Sequence, residues 1–325
     1  MIVSMRISET TEDLLLSRFL PLLPTGEAAI VPTGDDAAVL SLAGDAVVST
    51  DMLIEGRHFR RDWSTGADVG FRAAMQNLAD AVAMGANPRS LVVSLGLPSD
   101  LDVEWVSEFA TGLAQACEPG GVGVDGGDLV SSNEIAISVT VIGDMEGRSP
   151  LRRATADIGD RIIHAGNLGH GAAGLALLEA GAVIDDAVAG LVDDFKRPKP
   201  PLREALAAAR AGGIRAMMDV SDGLVRDARR MAKASGVWLD FNAKMLESKM
   251  GALGRAAGRL RADRREWLLT GGEDHGFLAT IRPDAVIPAG FMEIGEVMGP
   301  SLGGRVTIEQ REIAGLGGWD HFGAR

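Results

Sequence analysis

The amino-acid sequence predicts a mixed α/β (α+β) chain folded as two domains. Three observations carry that expectation. The chain has 325 residues, room for two domains of ordinary size. Apolar residues make up 46% but aromatic ones only 4%, with no Tyr, so the core must be built mainly from Ala, Val, Leu and Ile. Apolar runs of strand period alternate with runs of helix period through both halves.

The elements follow in order. "SETTEDLLLSRFLPLL" reads as a helix capped by Ser8, with acids in its first turn. "AAVL" (37–40) and "AVVST" (46–50) read as strands joined by a Gly-Asp turn. Residues 67–86 form an unusually small-sided helix, "SLVVSLGLP" a strand and "DVEWVSEFATGLAQACE" an amphipathic helix. Residues 134–145 alternate as a long strand. The texture then turns rich in Gly, Pro and charge over 146–160, which sets domains at 1–148 and 149–325. In the second half, "RIIHAG", "RAMMDV" and "VWLDF" read as strands. Between and around them lie helices in "GHGAAGLALLEAGA", "RPKPPLREALAAARAGG" and "SDGLVRDARRMAKASG". "EWLLTGGEDHGFLATI" passes from a helix end through Gly-Gly into a strand.

Acids outnumber bases 45 to 32, a formal net charge of −13. That balance argues against nucleic-acid binding, which needs basic patches to displace counterions. A phosphate ligand would have to be welcomed by local basic groups or bound metal ions. Cys117 is the only cysteine, so a disulfide framework or thiolate zinc site within the chain is excluded. No run of 18 apolar residues and no signal-peptide pattern is seen, and the expectation is a soluble, cytoplasmic protein with no membrane contact.

Carboxylates recur where strands end. "TGDDAAVL" sets Asp35 and Asp36 side by side just before an apolar run. "STDMLIEGRHF" carries Ser49, Thr50, Asp51 and then His58. Asp80 stands in the otherwise apolar "QNLADAVAMGA", with no Lys or Arg one helical turn away. Asp128 follows two glycines in "VDGGDLV"; "MDVSDGL" holds Asp219, Ser221 and Asp222; "TGGEDHGF" holds Glu273 and Asp274. Each alone is explained by a turn or a cap, and Asp222 suits the N-cap of the helix after it. Asp80 resists that explanation, because a buried charge needs a partner or a cation. Together the acids suit a site at strand ends, and hard oxygen donors select Mg²⁺ or Mn²⁺. "GHGAAG" (169–174) follows a strand and opens a helix. It suits either a tight strand–helix turn or a phosphate contact. A dinucleotide fold is disfavoured, since no apolar strand carries an acid to its end about 20 residues on. No P-loop motif is present.

Nine strings together resemble the thiamine-monophosphate kinase family of the aminoimidazole-ribonucleotide-synthetase-like superfamily. They are "GDDAAVL", "STDMLIEGRHF", "NLADAVAMGANP", "GGD", "GNLGHGAAGL", "RPKPPLREAL", "MDVSDGL", "LTGGEDHGF" and "GWDHF", in the family's order over nearly the whole chain. The resemblance implies transfer of the ATP γ-phosphoryl group, assisted by several Mg²⁺ ions, directly to thiamine monophosphate. It also implies an N-terminal sheet-and-helix domain that pairs in a homodimer, a C-terminal α/β sandwich domain, and a site using both.

By family pattern, Asp36, Ser49, Thr50, Asp51, Asp80, Asp128, Asp219 and Asp222 match metal positions. Gly127, Asp128, Arg153 and Ser221 match ATP contacts, and Asp51, Asp128, Arg153 and Asp222 carry the chemistry. His58, Glu273 and Trp319 match substrate contacts; an aromatic face against a thiazolium cation is worth about 0.5–2 kcal/mol. The chain departs from the pattern at His170, Leu129, His275 and Gly120, which bear on nucleotide affinity. Two alternatives remain open from sequence: another ATP-using enzyme of the superfamily, or a silent nucleotide- or metal-binding regulator.

Overall fold

A computed structural model describes residues 5–313. The chain divides into two compact units. The first holds the described chain through Val82 together with Ala86–Ser149; the second holds Ala83–Gly85 and the described chain from Pro150.

The first unit is built on a four-stranded sheet, order β3-β6-β4-β5. Its strands are β3 (Ala46–Ile54), β4 (Asn87–Leu97), β5 (Gly123–Ser131) and β6 (Ala136–Asp144); β1 (Ala29–Val31) and β2 (Val39–Leu40) pair separately. β6 alternates as its sequence demands: Ile137, Val139 and Val141 are fully buried, while Ser138, Thr140 and Ile142 are half-buried. Helix α1 spans Glu12–Phe19, α2 Gly66–Ala83 and α3 Val103–Cys117. α3 is the crossover between the parallel strands β4 and β5. The small side chains of α2 serve close packing. A Cβ on Gly70 would lie 2.1 Å from the Phe109 carbonyl oxygen, and one on Gly112 2.1 Å from that of Ala67. Only glycine admits such contact between helix backbones.

Two local expectations are corrected here. Thr11, not Ser8, caps α1, its hydroxyl accepting the Leu14 N–H at 3.3 Å; Ser8 lies in a preceding 3₁₀ turn. The stretches 37–40 and 46–50 do not form a hairpin with each other. β2 pairs with β1, and β3 pairs with β6 through nine residues. The Asp144 carboxylate accepts the Ala43 N–H at 2.8 Å and so ties the intervening loop to the end of β6.

The second unit holds a seven-stranded sheet, order β13-β12-β9-β11-β7-β10-β8. Its strands are β7 (Arg161–Ala165), β8 (Ile214–Val220), β9 (Val237–Phe241), β10 (Gly276–Ile281), β11 (Phe291–Pro300), β12 (Arg305–Ile308) and β13 (Arg311–Glu312). Pairing is antiparallel except between β9 and β12. The helices are α4 (His170–Glu179), α5 (Ala189–Lys196), α6 (Leu202–Ala211), α7 (Leu224–Ser235), α8 (Ala243–Glu247), α9 (Leu253–Leu260) and α10 (Arg264–Thr270). Leu177, Met218, Leu224, Met231, Leu239, Leu268 and Leu278 belong to its core. β10 is buried at every position and anchors the strand ends on which the candidate site is built.

Candidate active site

In the first unit, β3 and α2 meet through polar groups. Ser49 and Asp51 alternate onto the face of β3 that carries buried Leu53. Gln76 and Asp80 stand four residues apart on α2, hence on one helix face. The Ser49 hydroxyl donates to Asp80 Oδ2 at 2.7 Å, and the Gln76 amide donates to Asp51 Oδ2 at 3.2 Å. Both carboxylates are half-buried. The unexplained acid of the apolar helix thus meets the strand that carries Asp51.

The neighbouring candidates are placed differently. Thr50 lies on the other face of β3, its hydroxyl donating to the Val139 carbonyl at 3.1 Å and accepting from Thr140 at 3.0 Å. Asp128 also lies on that other face: it pairs with Ser94, which pairs with Ser138, which pairs with Met52. Gly127 shares the Asp51 row through Val93 and Val139. A Cβ at Gly127 would sit 1.9 Å from the Val93 carbonyl oxygen. Asp35 and Asp36 are exposed on the loop between β1 and β2, where Asp35 accepts the Asp36 N–H at 2.8 Å. Water screens the two neighbouring charges there. His58 Nδ1 accepts the Ile54 N–H at 3.0 Å, so a neutral His58 carries its proton on Nε2.

In the second unit, antiparallel pairing of β8 with β10 brings "MDVSDGL" against "GGEDHGF". The Glu273 N–H donates to the Ser221 carbonyl at 2.8 Å, and the His275 N–H to that of Val220 at 3.0 Å. Buried His275 lies between two carboxylates, 3.7 Å from Asp219 Oδ2 and 3.7 Å from Glu273 Oε2. Burial opposes its charge, but the two carboxylates outweigh that and push its pKa up to about 10. Asp222 pairs with Arg230 at 2.6 Å and approaches Arg226 at 3.8 Å. It is not the cap of α7. Gly223 holds that position at φ 107°, where a Cβ would lie 2.5 Å from the Thr270 carbonyl oxygen. Asp227 is wholly buried; burial first, then the Asp219 charge, push its pKa up to about 7. Arg153 lies exposed on a loop, its carbonyl accepting the Ser235 hydroxyl at 2.9 Å. Trp319 lies outside the described residues.

Residues 34–145 match the family model "AIR synthase related protein, N-terminal domain", and 157–285 match its C-terminal counterpart. The chain is 45% identical over 294 residues to a thiamine-monophosphate kinase of Mycobacterium tuberculosis, covering 89% of this chain and 85% of that protein. It belongs to the thiamine-monophosphate kinase family. A Corynebacterium glutamicum member is 39% identical, covering 92% of this chain and 91% of its own. The solved structure of AaThiL complexed with AMPPCP and TMP superposes with TM-score 0.79 at 30% identity, covering 98% of this chain and 100% of that one.

Within this kinase-family fold the glycine-rich turn has an occupant of its own. Asp274 accepts the N–H groups of Gly169 and Gly171 at 2.5 and 2.8 Å. Asp194 accepts from Asn167 at 3.1 Å and lies 2.7 Å from His170 Nδ1, while Lys249 donates to the Gly166 carbonyl at 2.9 Å. Of the two alternatives that the sequence left open there, the tight strand–helix turn describes these contacts. The donors at the head of α4 serve a protein carboxylate.

Among the described residues, no three His, Cys, Asp or Glu side chains are gathered closely enough to chelate a metal alone. The donor set still fits Mg²⁺. It consists of hard oxygens, and that ion takes one or two carboxylates and leaves its other positions to water and substrate phosphate. Asp51 and Asp80 beside Ser49 have this character in the first unit, and Asp219 and Asp222 in the second. Sequence reasoning passed over Gln76, Asp227, Arg230 and the clamp role of Asp274. The spacing of Asp227 and Arg230, three and six residues into α7 from Leu224, was the one signal that could have exposed them.

Proposed function

We propose that the chain transfers the γ-phosphoryl group of ATP to thiamine monophosphate, giving thiamine diphosphate and ADP. The observation that carries this is likeness to thiamine-monophosphate kinases through nearly nine-tenths of the chain. The strand-end carboxylates support it.

A phosphate oxygen of thiamine monophosphate forms the new bond to the γ-phosphorus, and the bond from that phosphorus to the β-bridging oxygen breaks. The phosphate acceptor is largely deprotonated at neutral pH, with a second pKa near 6, so the step needs no strong protein base. In-line geometry lets entering and leaving oxygens share the transferring group. Mg²⁺ ions, when bound, neutralise the two anions and stabilise charge on that group. The chain's own contribution is to hold them. Asp51 and Asp80 are aimed by Gln76 and Ser49, Asp219 by the β8–β10 pairing and Asp222 by its contact with Arg230. Asp36, Thr50 and Asp128 belong to the same proposed ligand set. Asp36 stands on its exposed loop, and Thr50 and Asp128 face the side of the sheet opposite Asp51. Arg153, Ser221 and Gly127 meet the nucleotide; His58, Glu273 and Trp319 meet the thiamine moiety.

The enzyme acts as a homodimer paired through the outer face of the first sheet. Val48, Met52 and Val130 are 64%, 57% and 56% exposed on that face. No helix among the described residues is long and apolar enough to cross a membrane. The single, buried Cys117 suits the cytosol.

The test is incubation with ATP, Mg²⁺ and thiamine monophosphate, with thiamine diphosphate read by chromatography. Product that disappears in Asp51→Asn supports the kinase. Nucleotide binding without turnover on thiamine monophosphate overturns it in favour of a silent regulator.

A further inference from the structure

Asp222 is enclosed in a ring of polar contacts that closes on itself. Its N–H donates to Asp227 Oδ2 at 3.0 Å. Asp227 Oδ1 accepts from Arg230 Nη1 at 2.6 Å. Arg230 Nη2 returns to the Asp222 carboxylate, 2.6 Å from Oδ2. One guanidinium therefore spans two carboxylates, and one of those carboxylates also grips the main chain of the other.

Capping the Asp222 N–H needs only a neutral acceptor. A wholly buried carboxylate is a costly way to supply one, because its charge must then be paired. The pairing here is not made with any nearby base. It is made with a fork whose second arm fixes the Asp222 side chain. Lysine, a point donor, has no such second arm. The spacing follows from the helix, since Asp227 and Arg230 are three residues apart on one face of α7.

We propose that Arg230, held by Asp227, is a positioning residue that fixes the Asp222 carboxylate for a divalent cation. The inference rests on the reading of Asp222 as a cation ligand. Arg230 is shared between the Asp222 and Asp227 carboxylates, so its charge is already engaged where it stands. What the ring contributes is orientation. Hydrogen-bonded partners of metal ligands commonly contribute about 10–100-fold in metal affinity.

The experiment titrates the full chain with Mn²⁺ in the presence of AMPPCP, reading free Mn²⁺ by electron paramagnetic resonance. Asp222→Asn defines the binding component of interest. Arg230→Gln and Arg230→Lys are expected to weaken that same component about 10–100-fold. Arg230→Lys should keep the far-ultraviolet circular dichroism and the melting temperature of the parent, since it retains the charge beside Asp227. In turnover, the Mg²⁺ concentration for half-maximal rate should rise by a similar factor while kcat at saturating Mg²⁺ stays within about threefold. Unchanged Mn²⁺ binding in both Arg230 variants overturns the inference while Asp222→Asn still leaves the ligand reading intact. Loss of binding only together with loss of the fold, in Arg230→Lys as well as Arg230→Gln, overturns it in favour of a structural role. Wild-type binding in Asp222→Asn removes the ligand reading itself, and the inference with it.

Discussion

Asp274 accepts the Gly171 N–H at 2.8 Å from a side chain that is only 7% exposed. The same carboxylate takes the Gly169 N–H, so the first donors of α4 are satisfied from inside the unit. Asp274→Ala leaves both donors without this acceptor. Each buried donor left unmade costs about 1–3 kcal/mol, so the variant should lose roughly 2–6 kcal/mol. Asp274→Asn keeps one acceptor oxygen and should lose less. Hydrogen exchange at Gly169 and Gly171, read beside the thermal midpoint, checks this. Unchanged protection at both amides would show that the clamp is dispensable.

The pairs on β3 and α2 predict a different pattern, with activity lost and stability kept. Asp51→Asn and Asp80→Asn preserve shape, and an amide oxygen still accepts from Gln76 or Ser49. The negative charge is what disappears. Turnover of thiamine monophosphate should fall by about 100-fold or more in each, the scale of losing a key electrostatic group, with the melting temperature within a few degrees of the parent. Ser49→Ala removes one hydrogen bond to the Asp80 carboxylate but leaves its charge; such a bond is worth about 1.5–3 kcal/mol, so the loss should be smaller, at least about tenfold. Steady-state assays over a range of Mg²⁺ distinguish the two classes. Full activity in Asp80→Asn would remove that acid from the reaction.

Much of this was legible in the chain. Amphipathic spacing is visible in α3 and alternation in β6, and the acids at strand ends include the residues that the structure pairs as Ser49–Asp80 and Gln76–Asp51. The losses have physical causes. β11 escapes a period-2 search because register shifts at Glu293/Gly295 and Val297/Gly299 break its alternation. β5 is disguised by three glycines and by the irregularity beside Asp125. Sequence order sets Asp128 beside Gly127 but cannot say which sheet face each serves; register decides that they serve opposite ones. The partnership of Asp219 with His275 depends on β8 pairing with β10, a contact between residues far apart in the chain. The sequence pattern matches Glu273 to a substrate contact, while its neighbour Asp274 turns inward and holds the turn at Gly169 and Gly171.

Gly70 gives a prediction about packing. A Cβ there would stand 2.1 Å from a main-chain oxygen of α3 and 2.9 Å from the adjoining carbon. No rotamer relieves a clash with backbone, so α2 and α3 must separate. Gly70→Ala should destabilise the first unit by about 1–3 kcal/mol, the range of overpacked cores, and Gly70→Val by more. Because α2 carries Gln76 and Asp80, activity should fall in step with the shift of the helix. Calorimetry and the kinase assay on the same preparations check both. A variant as stable as the parent would mean that the helices are not in backbone contact.

The last prediction concerns pH. Lys249 donates to the Gly166 carbonyl and lies 3.2 Å from His164 Nδ1. Burial lowers its pKa from 10.5 to about 8, although the Asp274 charge resists that shift. Buried His164 is held neutral, by burial first and by the Lys249 charge second, and so can accept from the ammonium. Between pH 8 and 10.5 the unfolded chain binds the lysine proton and the folded chain has largely released it. Stability from this group therefore rises with pH across that window, and it is lost again as pH falls back through 8. Lys249→Met lacks the titrating amine. The stability of the parent minus that of the variant should climb by roughly 2–3 kcal/mol from pH 8 to 10.5 and stay flat below about pH 7. Taking the difference cancels the titration of His275, which both proteins share. Urea unfolding at a series of pH values measures it. A difference that falls through the window would mean that the folded protein holds this proton more tightly than the unfolded chain, with Lys249 acting as an ion-paired surface amine.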